Sequence, residues 1–156
     1  FFKSLYALSE KYKNMLIKYW HSILDEPKEN LEWHQNDVKD ELEELAEAKG
    51  FIHWWSELSD VAYTYTRAKW SGHNLKRPIS LWLFTFGLIY MFPKYTLRWT
   101  FYYSIGKKFN KKLKITEVRN PKKAEKLRVI AQRYNINPEE FEKEVKKRMK
   151  YWIFLK

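Results

Sequence analysis

Four acids at helical spacing constrain this chain more than any other feature. Residues 40–63 read DELEELAEAKGFIHWWSELSDVAY. Glu41 and Glu44 make an E-x-x-E, and after a spacer of twelve residues Glu57 and Asp60 make an E-x-x-D. Residues three apart share a face of a helix. Two helices joined by a short turn near Gly50 could therefore bring four carboxylates to one place. Four hard oxygen ligands at one point suit magnesium, and magnesium commonly arrives with phosphates.

Helical phase sharpens this. On the first helix Val38, Leu42, Leu45, Ala46 and Ala48 form the apolar arc. Steps of about 100° put Glu41 inside that arc and Glu44 at its border. Asp40, Glu43 and Glu47 face water. On the second helix Trp54, Leu58, Val61, Ala62, Tyr65 and Ala68 form the arc. Glu57 borders it, with Thr64 and Asp60 next. Acids that face a packed seam are costly unless neutralised. A plain solvated charged face accounts for Asp40, Glu43 and Glu47 but accounts poorly for Glu41.

The spacing and its flanks resemble the all-α nucleoside triphosphate pyrophosphohydrolases, the MazG-like group. ELEELAEA is similar to that family's first acidic helix, and ELSDVAY to its second. The likeness covers roughly residues 37–70 well and the rest of the chain weakly. It implies an Mg²⁺-dependent hydrolase, with Mn²⁺ as the alternative ion, that cleaves a nucleoside triphosphate to a monophosphate and pyrophosphate. It also implies a helical bundle completed by a second subunit, hence a homodimer. The family carries a K-x-x-x-R element on a later helix that meets the phosphates, and Lys94 and Arg98 are similar to it.

Composition sets the limits. The chain has 156 residues, 45% hydrophobic and 31% charged. That suits one domain, or one domain with an extension, and argues against disorder. Four Gly and five Pro favour long regular elements. Cysteine is absent, which excludes disulfides, thiolate metal sites and a Cys nucleophile. A net charge of +11 favours anionic partners: nucleotides, nucleic acid or acidic lipid. The chain begins at Phe1 rather than Met, consistent with residues missing upstream, and no signal peptide is recognisable. An intracellular, cytoplasmic setting is the expectation.

Residues 1–24 read as a helix, ended by a turn at 25–30 around Pro27. The acidic helices follow, from Leu31 to Gly50 and from Phe51 to Trp70. His34 lies early in the first and is left outside the metal site, because a lone His is more often a surface or satisfied residue than a ligand. Trp55 is a candidate for stacking on a base, although packing on another helix is the favoured role. Residues 79–92 are almost wholly apolar but too short to span a bilayer, which needs about 20. They read as a helix buried on most sides, in the core or a subunit interface, with membrane-surface insertion the rival. Pro93 interrupts it; residues 94–105 resume it, with Lys94 and Arg98 on one face.

Residues 106–114 read as a basic linker, followed by a turn at Asn120 and Pro121. An amphipathic helix spans 122–136, with Leu127, Ile130, Ala131 and Tyr134 on one face. Asn137 caps a last helix with Pro138 at its first position. The pair has a helix-turn-helix look, but it lacks a short turn with Gly. Glu139 and Glu140 would also repel DNA where a recognition helix should read it.

The fold expected is all-α: a helical bundle built around two antiparallel acidic helices (residues 1–114), with a basic C-terminal helical extension packed on it (residues 115–156). The favoured function is an Mg²⁺-dependent nucleotide pyrophosphohydrolase, with Glu41, Glu44, Glu57 and Asp60 as catalytic and metal-ligating residues. Lys94, Arg98 and Trp55 are the substrate-binding candidates. The alternative is a non-enzymatic basic helical module that binds nucleic acid or an acidic membrane surface.

Overall fold

A computed structural model describes residues 2–116 and 124–150. It is all-α, with six helices and no strand among the described residues: α1 (Phe2–Leu24), α2 (Leu31–Glu47), α3 (Phe51–Trp70), α4 (Leu81–Lys108), α5 (Ala124–Arg133) and α6 (Pro138–Met149). The chain forms two compact units, Phe1–Phe92 and Pro93–Lys156. No described helix is long and apolar enough to cross a membrane.

In the first unit α3 is the central helix. α2 packs on it as the other arm of an αα-hairpin, and α1 packs on it from another side. Asn30 caps α2 by accepting from the Trp33 N–H at 2.8 Å. α2 ends at Glu47, short of the expected Gly50, which adopts φ 81° and heads α3 instead. Every residue of α3 from Glu57 to Ala68 is buried, polar ones included. The apolar arc read from the sequence is therefore too narrow, because neighbours cover α3 on more than one side. The first part of α4 crosses it closely: a Cβ added to Gly87 would sit 2.8 Å from the Leu58 carbonyl oxygen.

Burying so much polar surface on one helix requires partners. His21 Nε2 lies 2.9 Å from Thr66 Oγ1. Tyr63 donates to Glu26, whose carboxylate also lies 3.6 Å from Arg67 Nε. Arg67 donates to the Pro27 carbonyl at 3.0 Å and stacks over Trp33 at 4.8 Å. These contacts tie the 25–30 turn to α3.

The apolar 79–92 segment is not buried on most sides within this chain. Trp82 and Ile89 are exposed, while Phe84, Leu88 and Met91 are buried, so one side is covered and the other open. Pro93 does not end the helix, and α4 runs through it. Proline removes one N–H, the one that would bond the residue 89 carbonyl, and both Ile89 and Pro93 are exposed, so the acceptor can turn to solvent.

The second unit has its own core: Phe101, Tyr102 and Ile105 of α4, Leu113 and Ile115 of the segment after it, Leu127, Ile130 and Ala131 of α5, and Ile136, Phe141 and Val145. Residues expected to be linker thus supply core, with Leu113 fully buried. α5 packs on α6, and Asn137 caps α6 by accepting from Glu139 and Glu140 N–H. The turn between them is short, and Asn135 takes the positive φ of 52° where Gly was looked for. The turn expected at Asn120 and Pro121 lies outside the described residues.

Candidate metal centre

The αα-hairpin places its acids at its closed end. Glu41 and Glu44 lie in the last two turns of α2, and Glu57 in the second turn of α3. Each offers a carboxylate oxygen, and these oxygens lie within 4.8 Å of one another. Glu57 is buried, Glu41 half-buried and Glu44 exposed, so the cluster opens to solvent on the Glu44 side. His53, one turn before Glu57, places Nε2 3.3 Å from its Oε1. Glu43, Glu47 and Asp40 are exposed on the far side of α2.

Three carboxylates this close repel one another unless a cation or a proton intervenes. A magnesium ion with bonds of about 2.1 Å holds opposite oxygens about 4.2 Å apart, so small side-chain adjustments would let these three share an ion. The donor set is all hard oxygen, as magnesium or manganese requires.

Asp60 does not belong to this trio. It lies one turn further along α3 than Glu57 and is fully buried. Trp55 is engaged within the protein: it stacks on Phe86 at 4.9 Å and Tyr90 at 5.1 Å, and its Nε1 donates to the Phe86 carbonyl. Lys94 and Arg98 belong to the second unit, and both are buried. Arg98 lies over the Tyr95 ring at 4.7 Å and donates to the Thr116 carbonyl. Its Nε, also buried, has no hydrogen-bond partner among the described residues. Neither cation is an ordinary solvated one.

Two histidines are buried: His21, which the sequence does not single out, and His34, which the sequence leaves as a surface or satisfied residue. Burial, and then the Arg67 charge, hold His21 neutral, with a pKa lowered to about 3. Burial, then Arg67 and His73, lower that of His34 to about 4. His34 is wholly buried, against Trp33 and His73, because α2 turns its first-turn face onto α3. The pattern His34, Val38, Glu41, Leu45 would have put it on the core side.

Comparison of the chain with family models, with curated proteins and with solved structures found no match.

Proposed function

We propose that the chain is a divalent-metal-dependent nucleoside triphosphate pyrophosphohydrolase, releasing a nucleoside monophosphate and pyrophosphate. The observation that carries this reading is the convergence of Glu41, Glu44 and Glu57 from two helices. The MazG-like pattern around them supports it. Those three side chains would hold Mg²⁺ or Mn²⁺, with Asp60 a further carboxylate on the same helix as Glu57. Bound there, the metal would offset carboxylate charge and polarise water and phosphate oxygens. His53 steadies Glu57, and the exposed edge at Glu44 leaves the phosphates a way in. Lys94 and Arg98 enter the reading as cationic candidates for the outer phosphates, with Arg suited to a bidentate grip.

The reading also expects a homodimer. α1 exposes Tyr12, Met15, Leu16, Tyr19 and Ile23 along one side, an apolar stripe that a second copy would cover. The test of the chemistry is a pair of isosteric variants. Glu57→Gln and Asp60→Asn should each abolish pyrophosphate release while keeping the helical circular dichroism. Near-normal activity in Glu57→Gln removes Glu57 from the ligand set, and near-normal activity in Asp60→Asn removes Asp60 as a further carboxylate of the site.

A further inference from the structure

Away from the acidic cluster, the first unit carries a cleft of about 330 Å³ between α1, the C-terminal half of α3, the loop after it and the start of α4. Its floor is built from apolar side chains with the buried Thr66 among them. Ile17, Tyr65 and Phe84 line it, all largely buried, with Tyr65 and Phe84 edge to face at 5.5 Å. Its rim is cationic: Lys18, Lys69 and Arg77, flanked by the amides of Asn14 and Asn74. No carboxylate lines it; Lys69 Nζ lies over the Tyr65 ring at 5.2 Å, and Arg77 Nε donates to the Ile79 carbonyl at 3.0 Å, which leaves the terminal nitrogens of the guanidinium for a ligand. The carbonyls of the last α3 turn, which would repel an anion, are already engaged: Arg67, Ala68 and Lys69 accept from Ser71, His73 and Gly72 N–H.

This combination selects a ligand class. Three positive charges over a small cleft match a dianion better than a monoanion, and a phosphate monoester carries about −1.5 to −2 at neutral pH. Arginine and lysine together supply a fork and a point charge for such a group. An aromatic floor suits a ring attached to it. The volume lies at the small end of the range for ligand sites, about 300–1,000 Å³. We propose that this cleft binds a phosphate monoester that carries a small ring-bearing body. The site is independent of the acidic cluster and needs no metal.

The test is calorimetric titration of the protein with adenosine 5′-monophosphate in excess EDTA, beside adenosine and inorganic phosphate alone. The monophosphate should bind at about one equivalent and at least about tenfold more tightly than either part, because both ends of the cleft are engaged. Lys69→Gln with Arg77→Gln should weaken it by about tenfold or more while melting is unchanged, since both side chains are exposed. Phe84→Leu should weaken monophosphate binding and leave inorganic phosphate unaffected. No binding in EDTA, equal binding by the double variant, or inorganic phosphate bound as tightly as the monophosphate would each overturn the proposal.

Discussion

At the scale of single residues, the first unit rests on polar groups sealed inside it. Arg67 and Glu26 are both almost wholly buried, and removing Arg67 takes the guanidinium charge away from the Glu26 carboxylate, to which Tyr63 still donates. Arg67→Met should therefore cost about 3–5 kcal/mol in urea unfolding. A loss below 1 kcal/mol would mean that Glu26 finds other compensation. The buried histidines predict a pH dependence of definite sign. Unfolded, each takes up a proton below about 6.5; folded, His34 resists until about 4 and His21 until about 3. The unfolded state thus binds more protons in this window, so stability falls as pH drops below 6.5, by up to about 1.4 kcal/mol per pH unit for each histidine. Melting temperatures between pH 7 and 5 check this, and His34→Gln should flatten the slope. A flat profile in the parent protein would contradict the burial described.

At the scale of elements, the α3–α4 crossing depends on one missing side chain. Gly87→Ala puts a Cβ against the Leu58 backbone, which cannot move without shifting α3. A loss of about 1–3 kcal/mol is expected in chemical denaturation. An unchanged midpoint would show that the crossing is looser than 2.8 Å implies. The helices themselves were largely legible from sequence. Turn residues and the Asn137 cap mark their ends, and the phase of α2 puts Glu43 and Glu47 outside and Glu41 toward α3. The full burial of α3 was not legible, because its cover comes from α1 and α4, far away in sequence. Ser59, Asp60 and Thr66 look like a polar face until those helices are in place. The cationic cleft was hidden for the same reason: Lys18, Lys69 and Arg77 come from three segments, and no spacing links them. Pro93 misled in the opposite direction, since a proline on an exposed helix face loses a hydrogen bond that water can replace.

At the scale of the whole molecule, charge and assembly are the measurable properties. If α1 joins two copies, Met15→Glu with Tyr19→Glu should halve the mass seen by light scattering without loss of helix; a monomeric parent protein would remove that part of the reading. If Arg98 grips phosphate, Arg98→Ala should weaken nucleotide binding by about 1.5–3 kcal/mol while Mg²⁺ binding without nucleotide is kept. Unchanged nucleotide affinity would release Arg98 from that role. Glu41, Glu44 and Glu57 are proposed to hold a metal for cleavage at the α-phosphorus. The most direct measurement is a nucleoside triphosphate panel with Mg²⁺, scored separately for pyrophosphate and orthophosphate. A metal site of this kind should release pyrophosphate and monophosphate in equal amounts, with release abolished by EDTA and by Glu57→Gln. Orthophosphate with a diphosphate, or no turnover of any triphosphate, would contradict it.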